Sequence, residues 1–302
     1  MTRTIWLASY PKSGNTWFRM LVANLSATDK PVDINDLPEG GGIASARGPF
    51  DYLTLIDSGL LTHEEIDRLR PRVYEQLRRG AADDEYDAPQ LTEPVRFVKA
   101  HDAYTYTSEG EPLLAGAHGA DGAILIVRDP RDVAPSLANH NRTSIDQAIA
   151  RLNSVKDGFC GSLDRQAIQL RQQLPGWSGY QASWLNQTDI PVHVVRYEDM
   201  HADTEGVFRR ALAFAGRNAS DEQIARAARF ARFDELKQQE EARGFREAPP
   251  RAKAGFFRRG EVGAWREELT VEQIDLIERA HAPTMQRFGY RLSSEMVEGE
   301  AA

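Results

Sequence analysis

Cysteine is all but absent. Cys160 is the only one in 302 residues, which excludes an internal disulfide and every multi-cysteine metal site. No cationic cluster surrounds it in sequence, so it reads as an inert small residue. Long hydrophobic runs are missing too: stretches such as AILIV at 123–127 fall far below the roughly 20 residues that a bilayer span needs. The N-terminal MTRTIWLASYPKSG has neither an apolar signal core nor a small-residue cleavage site, and the expected address is the cytoplasm. An excess of positive charge is also lacking. Its 37 Lys and Arg face 45 Asp and Glu, a net charge of −8 that argues against a broad grip on nucleic acid. Any anion site must therefore be local. With no internal repeat and no shift of composition to mark a linker, residues 1–302 are expected to form one domain. Residues 33–90 and 139–188 would be long insertions in it, and about 292–302 a frayed acidic tail.

What is present is enough apolar material for a sizeable core, 41% of residues, arranged as short runs separated by helical patterns. TIWLAS at 4–9 precedes a helix over about 15–27, and VRFVKAH at 95–101, AILIV at 123–127 and VHVVRY at 192–197 follow as strands. Strands joined by long helical connections predict an α/β fold with a mainly parallel central sheet covered by helices. Thr62 and Glu65 have capping-box spacing at the start of a helix over 62–79, which Pro71 should kink or divide. The stretch around 144–188 reads as largely helical. Residues 221–245 read as strongly helical up to Pro249 and Pro250. Trp177, Tyr180 and Trp184 follow at i, i+3 and i+7, the spacing of a packed helix face.

Four segments could carry chemistry. YPKSGNTW, Tyr10 to Trp17, sits where a strand gives way to a helix and predicts a P-loop-like phosphate cradle. Gly14 allows the turn, while Lys12, Ser13, Asn15 and Thr16 add donors to the helix N–H groups. The nucleoside-triphosphate loop GxxxxGK[ST] does not match, because Lys12 precedes Gly14. In VRFVKAH the two-residue period puts Phe97, Lys99 and His101 on one strand face, where His101 could act as a general base and Lys99 could neutralise developing charge. In AILIVRDPRDVAPS a strand ends at Arg128 and turns into a helix with Asp129 at the N-cap and Pro130 at N1. Arg128 and Ser136 could hold a second phosphate. KAGFFRRGEVGAW at 253–265 reads as a basic loop that closes over an anionic ligand through Arg258, Arg259 and the backbone at Gly260.

In this order the segments resemble the cytosolic-type sulfotransferases that use 3′-phosphoadenosine 5′-phosphosulfate (PAPS), and the chain reads as a bacterial member. YPKSGNTW is similar to the family's YPKSGTTW loop, Lys99-Ala100-His101 to its K-T-H element, and Arg128 with Ser136 to its 3′-phosphate motif. FFRRGEVGAW resembles FxRKGxxGDW, with Arg259 for Lys and Ala264 for Asp. Tyr197, in YEDM, resembles the Tyr-Glu-Asp segment beside the adenine, where Trp17 and Phe233 would pack on the base. Ala231 and Arg232 stand where the family often has Thr-Ser, which removes a hydroxyl. The resemblance implies transfer of a sulfuryl group from PAPS to a hydroxyl, or secondarily an amine, of a small-molecule or secondary-metabolite acceptor, releasing adenosine 3′,5′-bisphosphate without a metal. It implies His101 as base, Lys12 on the leaving phosphate and Lys99 on the sulfuryl oxygens. The acceptor pocket would draw on 33–60, 102–118 and 139–185, with Tyr52, Tyr104, Tyr106, Phe159 and Trp177 in them. REELTVEQID is similar to the dimerisation signature KxxxTVxxxE and implies a homodimer contact through 265–275, with Arg266, Thr270, Val271 and Asp275 at its spaced positions. A nucleotide-dependent kinase and a non-catalytic nucleotide-binding module are the alternatives.

Overall fold

A computed structural model of the chain describes residues 2–37, 42–83, 95–162, 164, 166–248 and 255–295. The Pro249–Pro250 stop, the glycines at 40 and 41 and the tail from 296 lie outside the described residues. The strands are β1 (Arg3–Ser9), β2 (Val95–Ala100), β3 (Gly122–Val127), β4 (Asp157–Phe159), β5 (Gln172–Leu174) and β6 (Val192–Arg196). The main sheet has the order β2-β1-β3-β6 and is parallel throughout. Helices cover both faces, which is why these strands read as apolar runs rather than as alternation. One face packs Trp6, Ala8, Val98, Leu125 and Val127 against Leu137, Trp177, Tyr180 and Trp184. The other packs Ile5, Leu7, Ile124 and Ile126 against Phe18, Leu21 and Phe208. The aromatic row at 177, 180 and 184 is core, with each residue fully buried.

The register does the positioning. Ala8 pairs with Ala100 on one side and Leu125 on the other, so β1, β2 and β3 end together at one edge. Because the chain leaves β1 to one side and returns through β3 on the other, that edge is a switch point where an α/β sheet opens a crevice.

Four sequence expectations need correction. The section 144–188 is two helices, Ile145–Asn153 and Gly176–Asn186, flanking an antiparallel β4–β5 hairpin. Gly158 permits the pairing, since a Cβ there would lie 2.5 Å from the Gln172 carbonyl oxygen. Residues 221–245 hold two helices, Asp221–Phe230 and Phe233–Arg243, and the break at Ala231–Arg232 lets Phe233 face the cavity. Tyr197 opens the helix Tyr197–Ala202 instead of closing β6. The helix His63–Asp83 runs unbroken through Pro71. Its neighbour Arg70 is buried and bonded to Asp102 at 2.9 Å, Tyr74 Oη at 2.8 Å and the Arg171 carbonyl at 3.0 Å, and this anchoring outweighs the lost backbone bond. The Thr62–Glu65 capping box forms as expected, as does the Asp129 cap, whose carboxylate accepts from Arg131 N–H.

Candidate active site

The carboxyl edge of the sheet opens into a cavity of about 1750 Å³. Beyond β1 the turn carries Lys12 at φ 70 and Gly14 at φ 104. Gly14 caps the helix Asn15–Ala23, which has no acidic residue in its first turn, so the positive helix end faces the cavity uncompensated. A Cβ at Gly14 would lie 2.6 Å from the Tyr197 ring, so both conformation and space require glycine. Lys12, Gly14, Asn15, Thr16 and Trp17 line the cavity. Ser13 is fully buried outside that lining, its hydroxyl unbonded. Asn15 braces the turn: its Nδ2 donates to the Leu7 carbonyl at 2.9 Å and to Ser9 Oγ at 3.2 Å.

Three cations from three elements meet here. Lys12 Nζ stands 3.6 Å from the centre of the Phe256 ring, and burial, then Lys99, then Arg128 pull its ammonium down to about 7. Lys99 bonds Glu247 at 3.2 Å, and Arg19 reaches the same carboxylate at 2.5 Å. Arg128 lies 4.3 Å from the Tyr197 ring and donates to the carbonyls of Lys12 at 3.4 Å and Glu261 at 3.0 Å. His101 sits among them. Its Nδ1 is 2.8 Å from the Ser9 carbonyl, which can only accept, so the proton is on Nδ1 and Nε2 keeps its lone pair. Burial first and Lys99 second push this imidazole down to about 3, so it is neutral at pH 7.

The other expected residues are placed as follows. Ser136, Tyr197, Phe233, Arg258, Arg259 and Gly260 line the same cavity. Tyr197 Oη donates to the Gly260 carbonyl at 3.1 Å, and a side chain at Gly260 would collide with the Phe233 ring. Trp17 packs edge-on to Tyr197 at 5.5 Å and beside His201 at 4.9 Å. Arg258 is held by Glu268 at 2.5 and 2.8 Å, and Arg259 by Glu261 at 2.9 Å and Glu267 at 2.7 Å. Asp132 anchors this segment, accepting from the backbone N–H groups of Gly263 at 2.7 Å and Trp265 at 2.9 Å.

Away from the cradle, the lining comes from Ile43, Ala44, Pro49, His140, Asn141, Phe159, Ile168 and Gln172. Of the five aromatic residues expected there, only Phe159 is in it. Tyr104 and Trp177 are buried in the core, and Tyr52 and Tyr106 point to solvent at 78% and 53% exposure. Segment 102–118 contributes nothing to the lining. Arg19, Asp132, His140, His201 and Glu247 went unread in the sequence. Only Asp132 had a local signal, two residues past the Pro130 helix start. Among the described residues no group of three or more His, Cys, Asp or Glu side chains could hold a metal, and no helix is long and apolar enough to cross a membrane.

A parallel sheet whose carboxyl edge gathers fixed cations and a neutral imidazole into one crevice is the design of an α/β group-transfer enzyme. Residues 122–289 match the family model described as sulfotransferase domain. The chain belongs to the sulfotransferase family. It is similar to cytosolic sulfotransferase 17 of Arabidopsis thaliana, 24% identical over 287 residues covering 90% of this chain and 71% of that one. To sulfotransferase 2B1 of Homo sapiens it is 22% identical, covering 93% and 66%. Among solved structures it resembles retinol dehydratase in complex with androsterone and the inactive cofactor PAP, with TM-score 0.55, 21% identity and coverage of 96% and 83%. It also resembles mouse sulfotransferase SULT7A1 complexed with PAP, with TM-score 0.54, 20% identity and coverage of 94% and 84%.

Proposed function

We propose that the protein transfers a sulfuryl group from PAPS to a hydroxyl of a small-molecule acceptor, acting as one domain in the cytoplasm. The observation that carries the reading is the burial of Lys12 among Lys99 and Arg128, which an anionic donor would relieve. Lys12, Gly14, Asn15, Thr16 and the helix N–H groups hold the 5′-phosphosulfate, with Ser13 behind the turn. Arg128, Ser136, Arg258, Arg259 and the Gly260 backbone take the 3′-phosphate, the two loop arginines exchanging part of their pairing with Glu261, Glu267 and Glu268 for it. Trp17, Tyr197 and Phe233 receive the adenine.

His101 is the general base. Its Nε2 takes the proton of the acceptor hydroxyl as the oxygen bonds to sulfur. The bond from sulfur to the 5′-phosphate oxygen breaks, and the electron pair leaves with adenosine 3′,5′-bisphosphate. Lys12 meets the charge growing on that oxygen, and Lys99 meets the sulfuryl oxygens. Fixed cations and N–H groups supply this stabilisation, so the proposal includes no metal. The exposed Val271 side chain, in a segment with Arg266, Thr270 and Asp275, fits a homodimer contact through 265–275.

The test is thermal unfolding with adenosine 3′,5′-bisphosphate against AMP, ADP and ATP with Mg²⁺. A ligand at ~100 times its dissociation constant adds about 2.7 kcal/mol, readily seen as a rise in Tm. Selective stabilisation by the bisphosphate, lost in Arg128→Ala, is expected. Stabilisation by ATP alone, or by no nucleotide, would overturn the reading.

A further inference from the structure

Glu247 is a carboxylate in the cavity lining paired with Lys99 and Arg19, and the proposed chemistry leaves it without a task. It reaches Lys99 at 3.2 Å and Arg19 at 2.5 Å, bringing together β2, the first helix and a segment 148 residues downstream of Lys99. That segment is fastened locally. Arg246 N–H donates to Asn35 Oδ1 at 2.7 Å, Asn35 Nδ2 donates to the Gly244 carbonyl at 2.9 Å, and Arg243 pairs with Asp33. Backbone bonds to Gly42 at 3.1 Å and Ala44 at 2.8 Å fix the lysine's own strand from the other side.

The lysine needs such a partner. Burial pulls the Lys99 ammonium down, Glu247 opposes that and Arg19 adds to it. Among the described residues, the further groups that feel the Lys99 charge are a cation and two imidazoles: Lys12 from the cradle turn, His101 just past the end of the same strand and His140 from the helix Pro130–Asn141. Burial works against the Glu247 charge as well, but Lys99 and Arg19 outweigh it and hold the carboxyl down at about 2. The carboxylate is thus a permanent negative charge at working pH.

We propose that Glu247 is a positioning residue for sulfuryl transfer: its carboxylate keeps the buried Lys99 ammonium charged and in place beside His101. The inference rests on the reading of Lys99 as the group that meets the sulfuryl oxygens. Because Glu247 arrives on a segment that forms part of the cavity wall, seating that segment and charging the lysine are one event. With 245–248 displaced, burial and Arg19 would act on Lys99 without the opposing carboxylate, and its hold on the proton would weaken.

The experiment is an NMR titration of protein labelled at the lysine side chains, of which the sequence has six, with Lys99 assigned by loss of its signal in Lys99→Met. In Glu247→Gln the Lys99 titration is expected to fall by about 1–3 pH units, the usual effect of an opposite charge at this range. Glu247→Asp should restore most of it. Arg19→Gln, a second and independent variant, should move the titration up. An unchanged Lys99 titration in Glu247→Gln, or a downward move in Arg19→Gln, would overturn the proposal. Adding adenosine 3′,5′-bisphosphate to the wild-type protein separates the two readings: a titration that responds to Glu247 but not to the bisphosphate would leave the ion pair standing and remove the donor site.

Discussion

Gly14→Ala measures what the cradle demands of its backbone. At φ 104 an alanine costs about 1–2 kcal/mol in backbone strain. Its Cβ would stand 2.6 Å from Tyr197 Cδ2 and 3.1 Å from Cε2, an overlap worth a further ~1–3 kcal/mol after the ring yields. The ring cannot yield alone. Its hydroxyl is bonded to the Gly260 carbonyl at 3.1 Å and its face carries Arg128 at 4.3 Å, so the displacement reaches the closing segment and the proposed 3′-phosphate site. The backbone part is lost from stability, while the steric part of ~1–3 kcal/mol, expressed in binding, weakens adenosine 3′,5′-bisphosphate by roughly 5- to 150-fold. Gly110→Ala is the matched control. Gly110 has φ 82 with nothing within 4 Å of its Cβ, so it carries the backbone cost alone. Calorimetric titration and thermal unfolding of the three proteins read the difference. The control should bind like wild type and lose a little stability, while Gly14→Ala loses affinity. Equal affinity in the two variants would refute the steric reasoning.

Two further outcomes follow from the site. His101→Ala should keep bisphosphate affinity and lose kcat by about 10²–10⁴-fold, the usual worth of a general base; near-normal turnover in a sulfate-transfer assay would remove His101 from the role. With Lys12 pulled down to about 7, the free protein at pH 8 holds it mostly neutral, and a bound phosphate recharges it. Binding at pH 8 should therefore take up close to one proton, and affinity should fall as pH rises above 7, by up to ~10-fold per unit. Calorimetry in buffers of different ionisation enthalpy reads the uptake, which should vanish in Lys12→Met; a buffer-independent enthalpy in the wild type would contradict it.

The parts legible in the sequence are those set by local physics. A parallel sheet covered on both faces makes β1 and β3 into apolar runs. The strand period expected for Lys99 and His101 does not reach His101, since β2 ends at Ala100; the two share the cavity because His101 follows directly on the strand's end. The Asp129–Pro130 start was legible because a cap is a property of adjacent residues. Illegible were pairings that only the closed fold makes. Arg19 and Glu247 are 228 positions apart, and nothing near either one announces the other. The β4–β5 hairpin has three-residue strands, too short to show a period against the helical patterns on both sides. The acceptor side failed for a related reason: aromatic residues in the right segments went to the core or to solvent according to packing, which composition does not encode.

Asp132 grips the closing segment by main-chain N–H groups at Gly263 and Trp265. A clasp of that kind is indifferent to spelling. The alanine at 264 and the arginine at 259 can replace the commoner residues with no loss at this joint. The same indifference makes it vulnerable in one way: a proline at 265 would delete one of the two hydrogens the clasp holds, besides removing the buried indole.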